Sequence, residues 1–217
     1  MKFTGAIWAL AVWFSAAAHA EPAMDSALFS LASAWDHARY AISEDRAQFA
    51  ALAPLAAEAE AIAGQFPASA APVAWRGVIA ATQAGATSGL DALGHAHTAK
   101  ALLETAMEMR ADHATQCMLF TTLGELYAQA PGFPLAFGDR RRAEQYLMRG
   151  VACDPLGVET NLYYGDFLVS EGRYREAVVV LSRALQAPPR PGREIGDSGA
   201  RAEASASRAR ALSHMSH

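Results

Sequence analysis

The fold is decided by the stretch Leu119–Pro189, whose second half reads NLYYGDFLVSEGRYREAVVVLSRALQAPP (residues 161–189). In this half a glycine is followed at fixed distances by small and large apolar residues, and the segment ends at prolines. The first half carries a looser copy of the same pattern. The matching positions are Leu123, Gly124, Tyr127, Ala143, Leu147 and Pro155, then Tyr164, Gly165, Leu168, Ala177, Leu181, Ala184 and Pro189. Such spacing predicts paired helices, because small residues permit close helix approach and large ones fill the space between pairs.

A third copy lies upstream. A gapless shift of 44 residues places Ala80 on Gly124 and Leu103 on Leu147. The chain therefore contains three repeat units, at about 71–111, 115–155 and 157–190.

The first two units carry an insertion relative to the third. Gly165 and Ala177 are twelve residues apart, whereas Gly124 and Ala143 are nineteen apart. Seven additional residues are therefore expected between the two helices of units one and two. In unit two they fall within 130–139, where two prolines and two glycines oppose helix formation.

The pattern in residues 71–190 resembles that of the tetratricopeptide repeat (TPR) family. The resemblance implies an all-α fold, a right-handed solenoid of helix hairpins with about nine helices in this chain. It also implies a concave face lined by the first helix of each hairpin. The lining positions implied for this chain are Thr121, Glu125, Leu162 and Asp166, with Met118 and Glu159 at the margin.

The flanking segments lack the repeat pattern. Apolar residues recur at helical spacing over Met24–Ile42 and Arg46–Gly64, which predicts an N-terminal helix hairpin at 21–70 that caps the array. Pro54 should kink the second of these helices or delay its start. The extension 191–217 is expected to hold a marginal capping helix over about Gly199–Leu212, begun by Asp197 or Ser198.

Residues 1–20 have the features of a cleavable signal peptide. Lys2 supplies a positive charge, an apolar run follows, and Ala18-His19-Ala20 fits the small-residue cleavage pattern. We therefore expect export, most simply to a bacterial periplasm, with no membrane span after cleavage. A retained N-terminal anchor helix is the alternative interpretation.

Cys117 and Cys153 are the two cysteines of the chain. In the register of the resemblance they fall at the start of the first helix and the end of the second helix of one hairpin, where they would lie side by side. A disulfide is therefore a candidate in an oxidising compartment. The alternative is a pair of buried thiols that do not meet.

No motif of a known catalytic or cofactor site is present, and we expect neither a cofactor nor a metal site. His95 and His97 are two residues apart, and such residues do not face each other on a helix. Glu125 and Asp166 each follow a repeat glycine; they could bind a cationic group or be solvated. Their one-repeat separation also permits a glycosidase-like carboxylate pair. The formal net charge of −4 argues against nucleic-acid binding.

The inserted loop of unit two has two features that could serve binding. Phe133 and Phe137 either tuck back against the hairpin or project as a binding edge. Arg140–Arg142 starts the next helix, either as a solvated face partly neutralised by Asp139 and Glu144 or as a patch for an acidic partner.

These features together predict a non-enzymatic exported scaffold that binds a peptide or protein on its concave face. A looser resemblance links long-insert repeats behind a signal peptide to the periplasmic helical-repeat subunits (T components) of TRAP-type transporters. That resemblance implies a small-molecule ligand and an oligomer instead.

Overall fold

The computed structural model describes the backbone of residues 10–215 and the side chains of residues 21–215. The predicted signal peptide, residues 1–20, lies outside the part described with side chains. Within the described backbone the chain forms nine α-helices, a short π-helical turn and one isolated β-bridge. The helices are α1 (Leu10–Asp36), α2 (Asp45–Gln65), α3 (Ala70–Gly85), α4 (Gly89–Glu108), α5 (His113–Gln129), α6 (Arg140–Cys153), α7 (Val158–Ser170), α8 (Tyr174–Leu185) and α9 (Glu194–Met215), with the π-helical turn at His37–Ala41. The all-α prediction is confirmed, and no helix of the described residues is long and apolar enough to cross a membrane.

Acidic side chains start three of the helices. The carboxylate of Glu44 accepts hydrogen bonds from the backbone N–H groups of the first turn of α2. Asp112 does the same for α5, and Asp139 does so for α6. These groups satisfy donors that a helix leaves without an internal partner. Pro54 lies within α2, which nevertheless begins as early as Asp45, so the expected late start is wrong.

Three antiparallel hairpins, α3–α4, α5–α6 and α7–α8, form the repeat array. In each hairpin a glycine of the first helix lies against a leucine of the second. The three pairs are Gly77 with Leu103, Gly124 with Leu147, and Gly165 with Leu181. A Cβ atom on any of these glycines would overlap the leucine side chain, so the glycines set the distance between the helices.

These pairs correct the alignment of the first unit. The gapless shift places Ala80 on Gly124, but the structure gives that role to Gly77, three residues earlier. Leu103 and Leu147 do correspond, so the shift holds for the second helices only. Alanine at position 80 is buried as well, which is why sequence spacing alone favours the wrong residue.

The two insertions differ in structure. In the second unit, residues 130–139 form a loop closed by a hydrogen bond from Gly138 N to Pro131 O of 2.8 Å. In the first unit, α4 begins at Gly89, so most of the additional residues expected between the two helices belong to α4 itself. The segment Ala86–Gly94 contains no proline, whereas the loop contains Pro131 and Pro134.

The C-terminal helix is longer and more firmly packed than expected. α9 begins at Glu194, so Asp197 is a buried helix residue instead of a capping residue. One face of small side chains packs against α7 and α8 and contacts the π-helical turn; its buried members are Ala200, Ala204, Ser207 and Ala211. Side chains this small let helices approach closely, so a weakly apolar face is sufficient here.

A disulfide joins Cys117 of α5 to Cys153 of α6, with the two Cα atoms 5.3 Å apart. The bond links the first turns of α5 to the last residue of α6, and so connects the two helices of the second hairpin at their open end.

The repeat glycine and an exposed helical glycine give a matched test of packing. In Gly124→Ala the new Cβ would lie 2.6 Å from Leu147 Cγ and 2.9 Å from its backbone nitrogen, so we expect a loss of about 1–3 kcal/mol in the free energy of unfolding. Gly94→Ala meets nothing within 4 Å, and we expect a gain of about 0.5–1 kcal/mol from helix propensity. Urea unfolding measures both, and equal effects of the two substitutions would contradict this packing role.

Removing the disulfide should lower the free energy of unfolding, because the unfolded chain gains conformational entropy when the cross-link is absent. For the 36-residue separation we expect the variant Cys117→Ala/Cys153→Ala to lose about 3–4 kcal/mol. Urea unfolding of the native chain in excess dithiol provides the control and should show a similar loss. Detection of two free thiols by mass spectrometry in non-reduced protein would contradict the pairing.

Candidate binding cavity

The concave side of the array holds a cavity of about 1100 Å³ that is partly open to solvent. Its walls come from almost every part of the chain, because α9 returns to the end of α1. The lining contains aromatic residues, arginines and carboxyl groups, among them Trp35, Arg39, Tyr40, Trp75, Thr121, Glu125, Glu159, Tyr163, Arg190, Arg193 and Glu203.

A buried ion pair beside this cavity joins the end of α1 to the segment that precedes α9. Arg193 donates two hydrogen bonds to the carboxylate of Asp36, one of them 2.8 Å long from Nη2 to Oδ1. The Asp36 side chain is only 1% exposed, and that of Arg193 is 14% exposed. Ser33 reinforces the junction with a hydrogen bond to the Gly192 carbonyl of 3.1 Å. The guanidinium of Arg193 also lies 5.9 Å from the ring centre of Trp75.

A second arginine connects the end of the repeats to α9. Arg190 donates to both carboxylate oxygens of Glu159, at 2.9 and 3.1 Å. Its Nε donates to Asp197 at 2.7 Å, and its backbone N–H donates to the other oxygen of Asp197. Bidentate contacts of this kind fix direction as well as distance. Residues 190–193 therefore form a strap across the side of the cavity.

A third arginine lies on the cavity wall near the π-helical turn. Arg39 forms an ion pair of 2.8 Å with Glu203 of α9 and lies 4.9 Å from the ring centre of Tyr40. Tyr40 packs edge-on against Trp35, and Trp35 packs edge-on against Trp75. The hydroxyl of Tyr40 is buried and has no hydrogen-bond partner.

Glu125 is the carboxyl group of the wall whose ionisation is most perturbed. Glu125 is partly exposed to the cavity, and desolvation among the surrounding helices raises its pKa to about 8, although nearby Arg39 opposes the rise. The charges of Glu203 and Asp166 raise it further, and Gln129 donates a hydrogen bond of 2.9 Å to one of its oxygens. Burial likewise holds the pKa of the Tyr163 hydroxyl well above its ordinary value.

The predicted groove residues divide into two groups. Thr121 and Glu125 line the cavity, as do the marginal candidates Met118 and Glu159. Leu162 does not, because it is fully buried in the core formed with α8 and α9. Asp166 is held outside the lining by a hydrogen bond from Ser207 and an ion pair with Arg210 at 3.5 Å.

The two loop phenylalanines behave differently. Phe137 tucks inward, with its ring centre 5.6 Å from that of Tyr127 and 5.0 Å from that of His97. Phe133 is 93% exposed at the tip of the loop. Neither lines the cavity.

The arginine run that follows this loop is engaged locally. Arg140 reaches Ser170, the last residue of α7, and Glu171, which follows it, and Arg142 pairs with Asp139 at 3.6 Å. Glu144 is not a partner of this run, since it pairs with Arg173.

Sequence reasoning missed the residues contributed by the flanks. Arg39 and Tyr40 precede the repeats, and Arg190, Arg193 and Glu203 follow them. The one available signal was the extended basic segment at 190–193, since nothing periodic relates these positions to each other.

One group of metal-ligating side chains borders the cavity. The Nδ1 atom of His113 lies 3.1 Å from Cys117 Sγ and 3.5 Å from Cys153 Sγ. Both sulfurs are committed to the disulfide, and thiolates are the form of cysteine that binds metal. This group is therefore a disulfide with a neighbouring imidazole.

Comparison with known proteins supports the repeat architecture. No protein-family model matches the chain, and no curated protein matches it. Among solved structures it is similar to the crystal structure of TTC0263, a thermophilic TPR protein of Thermus thermophilus. The TM-score is 0.54 at 17% sequence identity, over 80% of this chain and 78% of that one. The chain thus has a TPR-like helical-repeat fold.

The ion pair between the chain ends can be tested against a surface pair. Arg193→Ala leaves Asp36 buried without its partner, and we expect a loss of about 3–5 kcal/mol in the free energy of unfolding. Arg76→Ala removes a pair in which Glu60 is 71% exposed, and we expect a change within about 0.5 kcal/mol. Urea unfolding gives both values, and hydrogen exchange should show lost protection in α9 for the first variant only. Retained protection would show that α9 is held by other contacts.

Proposed function

We propose that this chain is a non-enzymatic exported scaffold that binds a small organic ligand in the cavity between its helices. The observation that carries the proposal is the large, partly open cavity on the concave face. A cavity of about 1100 Å³ with both aromatic and polar walls suits a small molecule or the end of a peptide chain.

The strap argues for a compact ligand over an extended peptide. A long peptide on the concave face would have to pass the junction of Asp36 with Arg193 or displace it. Separating these buried partners is costly, because each charge would lose its compensation. This consideration favours the small-ligand interpretation over the open peptide groove implied by the repeat pattern.

The disulfide supports export. Disulfides persist in oxidising compartments and are rare in the bacterial cytosol, and the N-terminal sequence has the signal-peptide pattern. We propose on this basis that the protein is exported to the periplasm. An association with a transporter, as the TRAP-type resemblance implies, is consistent with a cavity for a small molecule.

A second candidate function is protein binding on the outer surface. The loop of the second unit exposes Phe133 and Leu135, and the start of α4 exposes Leu90. Exposed apolar side chains of this size are often contact points for a partner. This surface does not compete with the cavity, so one protein could use both.

Filling the cavity should abolish ligand binding without unfolding the protein. Ala202 lines the cavity from α9 and has an exposed side chain, so Ala202→Trp would occupy the space. Ala209→Trp on the same helix also replaces an exposed alanine, but one outside the lining, and serves as the control.

The measurement is a thermal-shift screen of small metabolites that includes organic acids, amines and short peptides. We expect at least one compound class to raise the melting temperature of the native chain and of Ala209→Trp, but not of Ala202→Trp. Equal shifts in all three proteins, or none in any, would contradict a ligand in the cavity.

A further inference from the structure

We propose that the ligand of the cavity is a small organic cation, an amine or quaternary ammonium group that lies between Glu125 and the aromatic wall. This inference rests on the proposed function and specifies the ligand class of the same cavity.

The first argument is that the arginines of the wall are already neutralised. Arg39 is paired with Glu203, and Arg193 is paired with Asp36. Arg190 is shared between Glu159 and Asp197. An anionic ligand would have to compete with carboxylates already bound to these groups, two of them in bidentate contact.

The second argument is the number of carboxyl groups on the cavity wall. Among the described residues that line the cavity, carboxyl side chains without an arginine partner outnumber the arginines. They are Asp25, Asp45, Asp112, Glu125 and Asp154. Glu125 is the one that lies inside the helical array, where the low polarity of the surroundings strengthens its attraction for a cation.

The third argument is the aromatic wall. Trp35, Tyr40, Trp75 and Tyr163 all border the cavity. Cations are attracted to the faces of such rings. Two cationic groups of the chain already use this wall, since Arg39 lies near the ring of Tyr40 and Arg193 near that of Trp75.

The ionisation of Glu125 gives this ligand class a recognisable pH dependence. The groups that face it are Arg39 and Tyr40 near the π-helical turn, Tyr163 and Asp166 of α7, and Glu203 of α9. Glu125 is mainly protonated in the empty cavity at neutral pH, because its pKa is raised to about 8. A bound cation favours the carboxylate, so binding releases a proton and the affinity rises with pH until it levels off near pH 8.

The experiment compares three probes of equal size and different charge: benzylammonium, benzyl alcohol and benzoate. Saturation-transfer NMR and isothermal calorimetry on the full chain measure binding at several values between about pH 6 and pH 8.5. We expect benzylammonium to bind most tightly, with affinity that increases with pH. Calorimetry in buffers of different ionisation enthalpy should show proton release.

Two variants separate the site from the rest of the protein. Glu125→Gln should weaken benzylammonium binding about tenfold or more and remove its pH dependence, because a charge-assisted contact is lost. Glu58→Gln alters an exposed carboxyl of α2 outside the cavity and should leave binding unchanged. Unfolding curves of each variant verify that it folds.

Tighter binding of benzoate than of benzylammonium would overturn the inference while leaving a ligand-binding cavity intact. Equal binding of benzylammonium by Glu125→Gln, or no binding of any probe, would also overturn it. The comparison of Ala202→Trp with Ala209→Trp then decides separately whether the cavity binds a ligand of another class.

Discussion

The contact between Asp36 and Arg193 is the constraint on which the shape of this protein depends. It connects the end of α1 to the start of α9 across 157 residues of chain, and the aspartate is almost completely removed from water. A buried carboxylate without a partner is strongly unfavourable, so the two ends are held together once the chain is compact. A repeat array would otherwise present an open groove, whereas here the flanking segments close it into a cavity.

The same strap explains the electrostatic character of that cavity. Arg190 and Arg193 are three residues apart and direct their side chains to acidic groups on different elements, Glu159 and Asp36. Arg39 forms the corresponding bond from the other flank to Glu203. The arginines of the wall are therefore already paired with acidic groups of the chain. Among the described residues of the wall, no arginine remains free to balance the negative charge that Glu125 carries when it is ionised. Ligand preference and architecture thus have one physical origin.

Within the array, packing is governed by the glycine–leucine contacts of each hairpin. They recur in all three units, while the connection between the paired helices varies from a helical extension to a proline-rich loop and a short turn. The core tolerates this variation because the contacts lie along the helices and not at their ends. The loop of the second unit is attached to the core through Phe137, which leaves Phe133 exposed at its tip.

Much of the fold could be read from residue types a few positions apart. The all-α class, the three hairpins and the positions of Thr121 and Glu125 on a shared face follow from helical spacing, which is local. The alignment of the first unit could not be read in this way. Ala80 and Gly77 are both small, and only the contact with Leu103 in the folded chain shows that Gly77 is the repeat glycine. The extent of α4 and α9 was also underestimated, because glycine and alanine give weak signals that tertiary packing overrides.

The sequence by itself determined the helical-repeat architecture, the placement of the two cysteines at facing ends of one hairpin, and part of the concave lining. The tertiary structure alone decided that the flanking segments border the concave face, that Leu162 is buried and Asp166 is bound to α9, and that desolvation raises the pKa of Glu125. The physical reason is distance along the chain. Repeat packing is encoded by neighbours within one or two helices, whereas closure joins residues from opposite ends, and no periodic pattern relates them before the chain folds.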